Sequence, residues 1–281
     1  FILFATIFFV INDAIINYLS LRDIQFYHFV FYGTPVYLLV PFYLFLKGQF
    51  RLKLKTTNYL IPLIRGLIFM PMPLITFVSL KNIKLPEFTT LSMSTPIFSI
   101  IFSIFFLKDK LNFLLFVSLV VGIAGVLLVV QPGFNNFNIF FILVLFGSFL
   151  MSLTTFIVNK YNKVTSSVGY FVYGGVFVHI LSFTLFMVNP LFVDLLTFLL
   201  ITVSSIFVNF AIFFMVYAFQ NSQKYYASIS CLVYLQILWS VLIGIFVFNE
   251  YLNKFEIIGA FFIILSGLFS IPAQYKQLKK K

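Results

Sequence analysis

The chain has 281 residues, 62% of them hydrophobic and only 9% charged, with Lys and Arg outnumbering Asp and Glu by 18 to 7 for a net charge of +11. Soluble domains carry about 25% charged residues, and folding cannot hide this much apolar surface from water, so a soluble enzyme, a soluble binding module and a disordered chain are excluded. The basic residues sit in short clusters between long apolar runs, which reads as membrane orientation and leaves no nucleic-acid partner.

A membrane helix needs about 20 apolar residues. Ten such runs are predicted, at approximately 2–21, 26–46, 58–80, 86–107, 113–131, 138–159, 167–188, 192–219, 225–248 and 255–273. The expected fold class is an all-α integral membrane protein with ten transmembrane helices. The runs lack the period-2 alternation of a membrane β-barrel. Gln131-Pro132-Gly133 and Asn189-Pro190 are breakers.

In the first run, Asp13 lies near the middle, with Asn17 and Ser20 on the same helical face. An ionisable group at membrane depth costs about 2.5–3.5 kcal/mol, so it usually faces the bundle interior. The stripe reads as lining a central cavity, against the plainer reading of a hydrogen-bonded helix contact. His28, opening the second run, reads as an interface residue. Arg65 sits seven residues into the third, and three roles stay open for it: snorkelling to the headgroups, meeting a substrate carboxylate, or pairing with Asp13. Pro71 and Pro73 predict a kink that frees carbonyls, which membranes tolerate where they line a cavity.

Glu87 starts the fourth run as a helix N-terminal carboxylate, and Asp109 and Glu250 read the same way for the fifth and tenth. Polar stripes follow: Thr89, Ser92, Pro96, Ser99 and Ser103 in the fourth run; Ser148, Ser152, Thr155 and Asn159 in the sixth; Thr202, Ser205 and Asn209 in the eighth. Such faces mostly serve close helix packing. Ser92, Ser152, Thr155 and Asn209 are kept as substrate-contact candidates. His179, in the seventh run, reads as a packed neutral imidazole. The ninth carries Gln236, Ser240 and Gly244 on one face, with Trp239 beside them as a surface on which a planar ligand could stack. The single cysteine, Cys231, excludes an internal disulfide and a cysteine zinc site. No metal, cofactor or catalytic residue is expected.

With ten runs, one side holds Lys47, Arg51, Lys53, Lys55, Lys108, Lys110, Lys160, Lys163, Lys224, Lys276, Lys279, Lys280 and Lys281; the other holds only Arg22, Lys81, Lys84 and Lys254. This bias places both termini in the cytoplasm and the chain in the cell inner (plasma) membrane. The two halves also look alike. Leu107-Lys108-Asp109-Lys110-Leu111-Asn112 matches Phe248-Asn249-Glu250-Tyr251-Leu252-Asn253, and Ser79-Leu80-Lys81-Asn82 resembles Ala218-Phe219-Gln220-Asn221. The expected organisation is two five-helix repeats, 1–132 and 133–274, with a basic cytoplasmic tail at 275–281. Five is odd, so the repeats are inverted, an arrangement typical of secondary transporters.

Segment 65–132, from Arg65-Gly66-Leu67 through Leu85-Pro86-Glu87, Ser94-Thr95-Pro96 and Gly122-Ile123-Ala124-Gly125, resembles the EamA-type domain of the drug/metabolite transporter superfamily. Segment 234–267 resembles a second copy. Lys108-Asp109 stands where that family usually has Gly-Glu, and Ile237 where it usually has Pro. Asn12-Asp13-Ala14 resembles the subgroup that includes S-adenosylmethionine and riboflavin uptake proteins. The resemblance implies a secondary carrier of a small polar or amphipathic metabolite working by alternating access, with a proton or other ion as coupling partner. Oligomeric state stays open between monomer and homodimer. The alternatives are an intramembrane enzyme acting on lipid, for which no nucleophile–base set is found, and a non-transporting scaffold.

Overall fold

The structure is a computed structural model that describes residues 1–22, 24–106, 113–130, 138–222 and 226–278. The 107–112 segment with its Lys-Asp-Lys triplet, the Gln131-Pro132-Gly133 breaker, Lys224 and the tail residues Lys279, Lys280 and Lys281 lie outside the described residues. The elements are all helical: α1 (Ile2–Ser20), α2 (Phe26–Leu46), α3 (Phe50–Lys53), α4 (Leu60–Phe69), α5 (Met72–Asn82), α6 (Leu85–Ser92), α7 (Thr95–Phe106), α8 (Phe113–Val130), α9 (Ile139–Lys160), α10 (Ser167–Val188), α11 (Leu195–Asn221), α12 (Tyr226–Cys231), α13 (Leu235–Ile243) and α14 (Lys254–Leu278).

Seven helical stretches among the described residues are long and apolar enough to cross a membrane: α1, α2, α4 with α5, α6 with α7, α9, α10 and α11. Their outward faces carry large apolar side chains such as Leu39, Phe42, Ile180 and Phe210, as lipid contact requires. The protein is therefore a multi-pass membrane protein. Apolar stretches at Phe116–Val129 and Leu232–Phe248 are shorter.

The prolines explain two of the breaks. Pro71 carries no N–H for the Leu67 carbonyl, which accepts from Met70 N instead, and the third span divides into α4 and α5 there. Pro96 likewise cannot reach the Ser92 carbonyl, which accepts from Thr95 Oγ1 at 2.8 Å and lies 3.2 Å from Ser148 Oγ of α9. A neighbouring hydroxyl thus satisfies backbone freed at membrane depth. The ninth run, expected as one helix over 225–248, is instead broken into α12, a 3₁₀ turn at Leu232–Tyr234, α13 and a π turn at Gly244–Phe248. Asn249, left-handed at φ 55°, ends it.

Glu250 corrects an expectation. It does not cap the helix that follows it. Its Oε2 accepts the Leu85 N–H of α6 at 2.9 Å, while Asn253 and Glu256 cap α14 reciprocally. His28, at the start of α2, is buried against the protein: it accepts the Gln25 N–H at Nδ1 and holds the Asn189 carbonyl at 2.8 Å from Nε2.

Three apolar clusters fill the interior of the described residues. The first gathers Phe156, Met215, Phe219, Tyr226 and Ile237; the second gathers Leu19, Ile24, Phe77, Leu80 and Leu85; the third gathers Tyr37, Leu44, Leu54, Phe171 and Val172.

Candidate functional site

All three clusters contribute to the wall of one cavity of about 210 Å³, lined among others by Met215 and Phe219 from the first, Phe29 and Phe77 from the second and Tyr37 and Phe171 from the third. Broken helices border it: Phe69 and Met72 flank the α4–α5 break, and Ser92 and Met93 the α6–α7 break.

The first helix enters through Phe9, Asn12, Asp13 and Ile16, one face at helical spacing. Asp13 is buried, and Asn12 Nδ2 donates to its Oδ1 at 3.1 Å. Asn12 is itself oriented from α11, because Ser204 Oγ donates to Asn12 Oδ1 at 2.8 Å. This chain of donors fixes one edge of the carboxylate and leaves it without a cationic partner: the ion pairs among the described residues are Arg22–Asp194 and Lys84–Glu87.

Arg65 does not snorkel. It is 3% exposed, lines the cavity and donates from Nη1 to the Tyr170 carbonyl of α10 at 3.0 Å, with its guanidinium 5.6 Å from the Phe69 ring centroid. Its Nε–H has no partner. Glycines make the room: a Cβ at Gly174 would stand 2.0 Å from Arg65 Nη1, and one at Gly66 would meet the Tyr173 carbonyl at 2.8 Å. Nor does Arg65 pair with Asp13, since no carboxylate approaches it within 4 Å among the described residues.

Of the other sequence candidates, Ser92, Thr155, Asn209 and Gln236 line the cavity. Asn209 donates to the Ser205 carbonyl of its own helix at 2.7 Å. Asn17 and Ser152 are buried but lie outside the cavity wall. Ser20 turns its hydroxyl onto the Asn17 carbonyl. Ser152 meets Ser99 Oγ at 2.9 Å and joins a network in which Tyr226 OH donates to Ser99 Oγ at 3.1 Å and lies 3.2 Å from Thr155 Oγ1. Part of the fourth- and sixth-run stripes thus joins helix to helix, while Ser92, Ser148 and Thr155 also border the cavity. Trp239 is 38% exposed and outside the cavity wall, because α13 turns Gln236 inward instead.

Sequence reasoning missed three features. Ser204 is one hydroxyl among many. Tyr226 carries no distinguishing pattern. Tyr37 and His179 stack at 4.1 Å in the cavity wall, with Thr34 Oγ1 2.9 Å from His179 Nδ1; the Gly174-Gly175 pair, which admits both Arg65 and the Tyr37 ring, was the available signal.

The arrangement is a water-sized to metabolite-sized compartment at membrane depth, with one buried carboxylate, one buried guanidinium and aromatic walls. Among the described residues no group of three or more metal-ligating side chains forms.

Comparison with known proteins gives a consistent picture. Residues 1–131 match the EamA-like transporter family. The S-adenosylmethionine uptake transporter of Rickettsia conorii is 25% identical over 96% of this chain and 90% of its own length; that of Rickettsia prowazekii is 24% identical over 96% and 91%. An uncharacterized transporter of Helicobacter pylori is 26% identical over 73% of this chain and 71% of its own. A solved crystal structure, 14% identical, superposes with a TM-score of 0.69 over 98% of this chain and 97% of that one, which establishes a shared fold.

Proposed function

We propose that this chain, a membrane transporter of a small metabolite, is a member of the EamA-like transporter family that its first 131 residues match and a ten-span secondary carrier of S-adenosylmethionine or a metabolite of similar polarity. It works by alternating access in the inner membrane, with both termini cytoplasmic. The substrate reading rests on the S-adenosylmethionine uptake transporters of Rickettsia, matched over nearly the whole chain.

The observation that carries the mechanism is an exchange symmetry in the helix packing. Let α1 trade places with α9, α2 with α10, α4–α5 with α11, α6–α7 with α12–α13, and α8 with α14. Then α1 packs on α11 as α9 packs on α4 and α5, α2 on α11 as α10 on α4, and α1 on α13 as α9 on α6 and α7. The pairs α2–α10, α6–α13 and α8–α14 join counterparts.

Residues repeat the relation under the register that sets Leu107 against Phe248. Ser118 donates to the Ser266 carbonyl at 2.6 Å. Their counterparts are Gly259 and Gly125, where a Cβ on either would meet the other's carbonyl oxygen at 2.7 Å. Two like halves about one cavity can rock to open it to either side.

Loop contacts support ten alternating crossings. Loops after odd-numbered spans meet one another: Arg22 with Asp194 at 3.6 Å, Asn138 with the Asn82 carbonyl at 3.1 Å, Lys84 with the Tyr251 carbonyl at 3.2 Å. Loops after even-numbered spans meet on their own side, as in Thr57 with Val164 and Thr165 with the Lys55 carbonyl.

Purified protein in liposomes should take up labelled S-adenosylmethionine saturably, and Asp13→Asn should abolish or uncouple that uptake while the protein still inserts. Absence of saturable uptake under any imposed ion gradient would remove the substrate assignment.

A further inference from the structure

The cavity holds two buried groups of opposite charge, and they do not neutralise each other. Asp13 and Arg65 both line it, both are at least nine-tenths buried, and neither has an ionic partner within 4 Å among the described residues. Asp13 is fixed by Asn12 at one oxygen. Arg65 is fixed at Nη1 by the Tyr170 carbonyl, while its Nε–H has no acceptor at all. A buried charge is costly unless paired and hydrogen-bonded, and a donor left unmet is costlier than one never placed there. Each is instead held by a neutral group of the protein, Arg65 by the Tyr170 carbonyl and Asp13 by the Asn12 amide.

We propose that the missing partners are the two poles of a zwitterionic substrate: its carboxylate docks on Arg65 through Nε–H and the adjacent guanidinium edge, and its cationic centre docks on Asp13. A lone anion would leave Asp13 unpaired, and a lone cation would leave Arg65 unpaired, so the site selects for both charges on one molecule. Guanidinium suits a carboxylate because its planar donors match the two oxygens. The aromatic wall of the same cavity, with Phe9, Phe29 and Phe69 among its lining residues, suits a sulfonium or ammonium centre and a planar ring. This assignment rests on the carrier reading above and specifies how that site sorts ligands.

The test is competition against labelled S-adenosylmethionine uptake by the full-length protein in liposomes. The competitors are unlabelled S-adenosylmethionine, its decarboxylated form, which keeps both cations and lacks the carboxylate, and methylthioadenosine, which lacks both poles. Unlabelled S-adenosylmethionine should compete at least tenfold better than the decarboxylated form, and Arg65→Gln should compress that ratio toward one. Asp13→Asn, read by thermal shift in detergent where no transport is needed, should compress the difference in midpoint between decarboxylated S-adenosylmethionine and methylthioadenosine. Arg65→Lys, which keeps charge but loses the planar fork, should fall between and guards against a variant that fails to fold. A wild type indifferent to the carboxylate, or an Arg65→Gln protein that retains the tenfold ratio, overturns the proposal.

If the wild type imports no S-adenosylmethionine, the substrate assignment fails separately, and thermal shift in detergent decides this one. Zwitterionic amino acids should raise the midpoint where the matching amines and carboxylic acids alone do not; equal or absent shifts overturn it.

Discussion

Asn12 illustrates how a site is assembled one hydrogen bond at a time. An amide has an acceptor and a donor end, and Ser204 Oγ claims the acceptor at 2.8 Å, which turns Nδ2 toward Asp13 at 3.1 Å. Ser204 touches nothing beyond Asn12 in this chain of donors, so it acts by positioning. Removing its hydroxyl should cost roughly one neutral hydrogen bond, about 1 kcal/mol. Ser204→Ala should therefore raise the half-saturation concentration for uptake roughly fivefold while leaving membrane insertion intact, and Ser204→Thr, which keeps the hydroxyl, should restore it. Equal kinetics for Ser204→Ala and the parent would show that Asn12 needs no such support. The same residues show what sequence discloses at this scale. Asp13 and Arg65 were legible because a charge inside an apolar run demands a reason. Asn12 was seen only as part of a short motif, and Ser204 not at all, because a serine on a membrane helix satisfies itself on the preceding turn as readily as it reaches a neighbour.

Helix breaks and crossings follow the same logic. The break at Pro71 was legible, since proline removes a donor wherever it stands; the one before Pro96 fell inside a run read as a single helix. The broken ninth run was not: no proline marks it, and its end depends on Asn249 taking a left-handed conformation beside Glu250, which reaches across to the Leu85 N–H. That carboxylate supplies a pH test. Burial holds Glu250 above the ordinary glutamate range despite the Leu85 N–H and Lys84, which pull the other way. A carboxyl raised in the folded state binds its proton more tightly than in the unfolded chain. Its contribution to stability is present at low pH and is lost as pH climbs through the window above the ordinary value. Glu250→Gln keeps an oxygen for Leu85 and has no proton to lose, so its thermal midpoint should fall less between about pH 5 and about pH 8 than the parent's. An identical slope would assign the pH dependence elsewhere. The α8–α14 crossing gives a second test. Ala at Gly259 would stand 2.7 Å from the Gly125 carbonyl and 2.6 Å from Val129 Cγ2. Backbone cannot give way cheaply, so Gly259→Ala should destabilise the protein by about 1–3 kcal/mol, read as a lower unfolding midpoint in detergent.

At the scale of the whole molecule, two independent quantities must agree. Loop contacts fix which loops share a side but say nothing about which side faces the cytoplasm. Lysine and arginine counts say which side that is, but only if the number of crossings is right. The fold ties Lys84 to Tyr251 at 3.2 Å and Thr165 to Lys55 at 3.0 Å, so each pair must move together in any topology. From the charge bias we predict that the Lys55 and Thr165 side faces the cytoplasm and the Lys84 and Tyr251 side the outside. Single cysteines in a Cys231→Ser background read both quantities at once. Lys81→Cys and Tyr251→Cys, on exposed positions, should react with a membrane-impermeant maleimide on intact cells. Lys55→Cys and Lys163→Cys, also exposed, should react only after permeabilisation. Were Lys81→Cys and Tyr251→Cys to label from opposite sides, an odd number of crossings would separate them, and the inverted halves on which alternating access depends would not exist. Were all four to label as predicted but with the sides exchanged, the halves would stand and only the orientation in the membrane would reverse.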